Sequence, residues 1–289
     1  MMESFFFNPI LVKEMRERFR SKKTMFILGL YLLIMGGIPM GFLLMDPVRA
    51  SALGENRSLF LLSASIHYAM VCFVAPALTA GAISGERERQ TLQILLTTHL
   101  SPSTIVLSKL ITSLAFSALL LVASMPLYSI VILYGSVSPE QMVQLVVFLG
   151  VNMLFLGTLG LFCSTWIKRT SVSTITSYGI AFCFIVGTGL LFYFIGQSLQ
   201  QAYPEQFPNN EVWNLPGLQM LAGINPVVVL FGILGESLAD IDQLAFSPWL
   251  FFSCFYLVLT VVLIGLSAYL LKPIRRKWWS WKKRPNRVN

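Results

Sequence analysis

The chain has 289 residues, of which 55% are hydrophobic and only 12% charged, with a mean hydropathy of +0.71 and a formal net charge of +8. Soluble globular domains carry about 25% charged residues, so this composition excludes that class and calls for an integral membrane protein. The positive excess sits beside the ends of apolar runs, where each Lys or Arg near anionic lipid contributes about 1 kcal/mol; membrane anchoring accounts for it, and nucleic acid is set aside as a partner.

Residues 1–24 precede the first apolar run. The stretch "NPILVKEMRERFR" opens with Asn8 and Pro9, residue types favoured at a helix N-cap and at the first helical position. In the helix that follows, Leu11, Met15 and Phe19 recur on one face with Val12 beside them, while Lys13, Glu14, Arg16, Glu17, Arg18 and Arg20 fill the rest. That pattern predicts an interfacial elbow helix lying in the membrane plane, with a plain basic juxtamembrane tail as the competing reading.

A span needs about 20 apolar residues, and the sequence offers six such runs: Met25–Met45, Leu59–Ile83, Ile105–Tyr134, Met142–Ile167, Val172–Ile195 and Trp249–Leu271. All six are expected to be helices, because lipid offers the backbone no other hydrogen-bond partner. With the N-terminus inside, only Arg49 and Arg57 of the 21 Lys and Arg residues fall outside. The positive-inside rule therefore places both termini in the cytoplasm. The basic tail 272–289 adds Trp278, Trp279 and Trp281, an aromatic type that settles at headgroup depth. The expected fold is an all-α membrane protein: an elbow helix (1–24), a six-helix transmembrane domain (25–271) and a basic cytoplasmic tail (272–289).

The turns "GSVSPE" and "KRTS" are short and make spans three, four and five antiparallel neighbours. The long connection Gly196–Ser247 lies outside and holds no Lys or Arg. Within it "INPVVVLFGILGES" opens Asn-Pro and is too short to span. It reads as a short outer-side helix before the last span, either dipping into the outer leaflet or packed as an ordinary ectodomain helix. Gly37 and Gly41, and Ala77, Gly81 and Gly85, form small-residue rows suited to close helix contact within or between chains.

Catalytic and metal chemistry is sparse. Cys72, Cys163, Cys183 and Cys254 all fall within the predicted spans and suggest neither a disulfide framework nor a zinc site. With two histidines, His67 and His99, no HExxH or Cys/His spacing exists, so no metal is expected. His67 alone sits well inside a span, where an ionisable residue is a candidate polar site; a packed, hydrogen-bonded role is the commoner one. Lys109 lies near enough to the cytoplasmic end to snorkel. No GxxxxGK[ST] sequence occurs, so no nucleotide is expected to bind here and any ATP would be used by another chain.

The most informative stretch lies between spans two and three. Glu86, Arg87, Glu88 and Arg89 are followed by Leu92, Leu95, Leu96, His99 and Leu100 at i, i+3, i+4, i+7 and i+8, one face of a helix that Ser101 and Pro102 stop. Such a helix either lies on the membrane or docks in a partner's groove. The mixed charges favour the protein partner, since a lipid-binding helix would carry mostly Lys and Arg.

"AGAISGERERQTLQILLTTHLSPSTIVLSKL" resembles the segment after the second helix of type 2 ABC transporter permeases, matched at Ser84, Glu86, Arg87, Glu88, Thr91, Leu92, Leu95, Leu96, Leu100, Ser101 and Lys109. The N-terminal "NPILVKEMRERFRSKKT" is similar to that family's elbow helix, "LGLFCSTWIKRTSVSTITSY" to its fourth-to-fifth helix turn and "INPVVVLFGIL" to its outer short helices. Gln93 stands where an acid is common and His99 where Pro is common. The resemblance implies a permease subunit of an exporter in a bacterial plasma membrane, paired with a second permease chain and served by two ABC ATPase subunits that bind ATP and Mg. In that scheme residues 86–101 form the coupling helix, with Glu86, Arg87, Glu88, Arg89, Thr91, Leu92, Leu95, Leu96, His99 and Leu100 meeting the ATPase. An accessory membrane protein that binds an ATPase without conducting substrate is the alternative, and a membrane enzyme, lacking a catalytic cluster, comes third. A route lined by Phe, Leu, Ser and Thr suits a lipid, a lipid-linked molecule or an apolar peptide or drug better than a free ion.

Overall fold

Long uncharged runs settle into helices wherever water is absent, because only an intra-segment ladder satisfies every peptide group. The computed structural model describes residues 15–16, 19–45, 57–92, 101–133, 137–205, 212–213, 215–235 and 248–272, which contain helices and no strands. In chain order the helices are α1 (Lys22–Met45), α2 (Arg57–Thr79), α3 (Ser84–Glu88), α4 (Pro102–Leu133), α5 (Pro139–Trp166), α6 (Thr170–Phe182), α7 (Thr188–Ala202), α8 (Pro216–Ile224), α9 (Pro226–Ile233) and α10 (Pro248–Leu271). A π turn at Cys183–Gly187 joins α6 to α7. Six helical stretches are long and apolar enough to cross a membrane, at the six places where the apolar runs lie. The protein is a multi-pass membrane protein.

The centre of the bundle is α5. Buried residues make up 72% of its span against 11% of that in α1, and α2, α4, α6 and α10 all pack on it. Ser138 caps it through a reciprocal bond with Gln141, and Pro139 supplies a preset φ at its first turn. Phe155 meets Tyr256 edge-on at 4.6 Å, and Tyr256 stacks on Phe252 at 4.3 Å, tying α10 to α5. Two glycines let neighbouring helices approach α5 closely, Gly160 toward α2 and Gly157 toward α4. A Cβ at Gly160 would collide with Thr79 Oγ1 and lie 3.3 Å from Ala80 N and Pro76 Cα, and one at Gly157 would overlap Leu114. The small-residue rows read from the sequence are used differently. Gly81 and Gly85 face Thr170, whereas a Cβ at Gly37 would meet only Leu33 of its own helix and one at Gly41 nothing.

The long connection between the fifth and sixth spans contains more structure than the expected single short helix. A second helix, α8, precedes α9, and the two meet at 94°. Asn225 sits at the bend. Its Oδ1 accepts from Val227 N and Val228 N, both at 2.9 Å, capping α9 as the Asn-Pro signal predicts. Its Nδ2 donates to Ile185 O and Thr188 Oγ1, both at 2.8 Å. The π turn interrupts the regular ladder around Ile185, and Asn225 takes up the carbonyl there. Residues 206–211 and 236–247 of the connection lie outside the described residues.

Candidate functional site

The site is the corner that follows α2. The α2 ladder ends at Thr79, and the turn Ala80–Ile83 leaves the amides of Ile83 and Ser84 without carbonyl acceptors in their own helix. Both donate at 2.9 Å to Ser164 Oγ near the end of α5, and that hydroxyl donates in turn to Ser84 Oγ at 3.1 Å. One donor and two acceptor sites are all a serine hydroxyl has, and each is in use. Ser173 Oγ on α6 donates to Ala80 O at 2.7 Å. Ile83, Ser84, Ser164 and Ser173 are fully buried, so these bonds are shielded from competing water.

Three of the four corner charges then bind three different helices. Glu86 pairs with Lys109 of α4 at 2.5 Å. Arg87 Nη2 donates to Thr165 O at 3.2 Å, meeting a terminal carbonyl of α5 where the helix dipole favours a cation. Glu88 accepts from Thr170 N at 2.8 Å and from Thr170 Oγ1 at 2.7 Å, placing a carboxylate at the N-terminus of α6 where the dipole favours an anion. Arg89 is exposed, and its side chain makes no polar contact among the described residues. The sequence pattern reads all four charges as facing a partner; in the folded chain Glu86, Arg87 and Glu88 also have partners within this chain. Lys109 is likewise only 5% exposed and paired, rather than snorkelling to the surface.

A single rod from Glu86 to Ser101 is the second expectation that changes. Helix α3 ends at Glu88, and Gln90 adopts φ 61°. Gln90 N donates to Arg87 O at 3.2 Å and Thr91 N to Glu86 O at 3.0 Å. That pair of bonds is a Schellman closure with Gln90 in the left-handed position usually held by glycine. The chain turns there, and Leu92 enters the main core at 7% exposure. Leu95, Leu96, His99 and Leu100 lie outside the described residues, as does Leu11 of the expected elbow. Of the other elbow residues, Met15 is half-buried and Phe19 packs edge-on against Phe116 of α4 with centroids 6.5 Å apart.

His67 forms a separate polar knot deep in the bundle. Its Nδ1 lies 2.9 Å from Tyr128 Oη, its Nε2 lies 3.4 Å from Ser124 Oγ, and its ring meets Tyr31 edge-on at 6.0 Å. The knot ties α1 and α4 to α2, the structural role anticipated for a lone buried histidine. Among the described residues no group of three or more His, Cys, Asp or Glu could hold a metal ion.

Sequence reasoning missed Ser164, Thr165, Thr170 and Ser173. The only signal was the density of hydroxyl residues in "STWIKRTSVSTITS", which does not reveal that their partners lie about eighty residues upstream. The corner has the geometry of a clamp: the end of α2, the first turns of α4, the end of α5 and the start of α6 meet one short segment, buried at Ile83 and Ser84 and exposed at residues 88–91. The family model for ABC-2 family transporter proteins matches residues 8–273. No curated protein matches the chain.

Proposed function

This chain belongs to the ABC-2 transporter family and is an ABC transporter permease subunit that partners ABC ATPases, and from that premise we propose that the corner is where the ATPase drives it. Residues 84–92 and the stretch that follows dock on the ATPase, and closure of two ATPase subunits displaces the corner. Rigidity decides whether such a displacement reaches the membrane, since a flexible loop would absorb it. The observation that carries this reading is the set of bonds from Ala80–Glu88 to Lys109, Ser164, Thr165, Thr170 and Ser173, which makes the corner one body with α4, α5 and α6.

The remaining parts follow from exposure and charge. Along α1 and α6–α7, large apolar residues such as Phe26, Leu33, Phe182, Leu191 and Phe194 are exposed. We assign part of that surface to a second permease chain and the rest to lipid. Both termini and the corner lie in the cytoplasm of a cell whose plasma membrane houses the complex, and transport runs outward by alternating access between the two permease chains. Phe19 and Met15 belong to an elbow helix at the membrane surface.

Co-purification from membranes tests the docking. The double variant Leu95→Asp, Leu96→Asp is expected to insert normally and to lower ATPase retention at least about tenfold, the effect of removing an apolar anchor from an interface. Stoichiometric retention of the ATPase by that variant would remove the docking proposal.

A further inference from the structure

A recess of about 730 Å³ opens beside the corner, bounded by the start of α1 (Ser21 and Thr24), by Glu86 and Arg89, and by Lys109 and Ser113 on α4. Its size is that of small-molecule sites, roughly 300–1,000 Å³, and far exceeds the ~30 Å³ share of one water. Two polar atoms on its wall are shielded and unmatched. Ser113 is 0% exposed and its hydroxyl has no hydrogen-bond partner among the described residues; the Glu86 side chain is 26% exposed, but its Oε2 atom is shielded and has no partner among them while Oε1 holds Lys109. Buried polar groups of this kind call for a ligand group that meets them.

We propose that this recess binds the phosphoglycerol headgroup of an anionic phospholipid. Charge selects the class. Glu86 and Lys109 cancel, and Arg89 leaves the three-residue set with one positive charge, the complement of a phosphodiester monoanion. The planar guanidinium of Arg89 takes the phosphate oxygens in a forked pair. Glu86 Oε2 accepts only, so the group opposite it must donate. A hydroxyl of the glycerol does so, and Ser113 Oγ meets a second. An ammonium headgroup also donates, but at Glu86 Oε2 it would sit beside the Lys109 ammonium already held on the same carboxylate, and like charges at that range repel. Depth selects a lipid. Ser21 and Thr24 begin the first span, so the rim lies where phospholipid headgroups lie, and Ser113 forms the floor about three turns into α4. A headgroup held here would bridge the start of α1 to the corner. The recess is formed by this chain alone, and because it shares Glu86 and Arg89 with the proposed docking face it is tested on the permease without its ATPase.

Native mass spectrometry on the delipidated full-length permease, without its ATPase, tests the site. Titration with phosphatidylglycerol is expected to add one tightly held lipid per chain, bound about tenfold more tightly than phosphatidylethanolamine. Arg89→Gln, at an exposed position, is expected to erase that preference, and Ser113→Ala to weaken phosphatidylglycerol severalfold with elution volume and helicity unchanged. Competition by millimolar sn-glycerol 3-phosphate would support the same chemistry filled from the aqueous side, and resistance to it assigns the site to the lipid. Equal binding of the two lipids by the unmodified chain, or an undiminished phosphatidylglycerol preference in Arg89→Gln, overturns the proposal.

Discussion

Ser164→Ala is expected to loosen the corner and to cut ATP-driven transport roughly tenfold while the ATPase stays bound. The substitution deletes one hydroxyl and leaves the buried amides of Ile83 and Ser84 without acceptors. Each orphaned donor costs about 1–3 kcal/mol, so the corner loses about 3 kcal/mol of its attachment to α5. Amide hydrogen exchange at residues 83–88 should accelerate by the corresponding factor. Ser138→Ala supplies the control. It removes the cap at the opposite end of the same helix, a change worth about 1 kcal/mol, and transport should survive it. Equal losses of transport in both variants would mean that α5 stability matters and corner attachment does not.

The second large effect is predicted at Gly160. Leucine there has no room, because even a Cβ would collide with Thr79 Oγ1 and crowd the backbone at Pro76 and Ala80. A side-chain tip can rotate away, but backbone cannot, so α2 and α5 must separate along the seam that positions the corner. Overpacking of a tight site costs about 1–3 kcal/mol, and we expect the upper end. Thermal unfolding in detergent should show a clearly lowered midpoint for Gly160→Leu, and Gly150→Leu, at an open position on the same helix, should not. Matching midpoints for the two variants would show that the seam is not close-packed.

Some of this was readable from local pattern. Spans one to six are legible because hydropathy is summed over neighbours in sequence, and the Asn225-Pro226 start of α9 is legible because a cap acts two or three residues ahead. The bend between α8 and α9 was not, since it depends on Ile185 and Thr188, some forty residues away. At the corner, the pattern of four charges correctly marks an unusual segment, but mixed charge at a helix start is equally suited to a partner protein and to neighbouring helix ends. What decides is whether an α5 C-terminus and an α6 N-terminus stand nearby, and only the folded chain shows that they do. Gln90 carries no warning at all: glutamine favours helix, and its left-handed conformation is imposed by Glu88 turning to Thr170 and Leu92 entering the core. Gly160 was overlooked for a related reason, as its partner Thr79 lies on another span.

The measurement that bears most directly on force entering through the corner is a spin-label distance between Gln90→Cys and Lys168→Cys, both exposed, in the permease–ATPase complex. A corner fused to α5 and α6 predicts a separation that stays within about 2 Å between the nucleotide-free and ATP-trapped states, the scale of small helix shifts. A change near the one-turn step of about 5 Å, with the ATPase still bound, would mean that the loop slides over the bundle and cannot drive it.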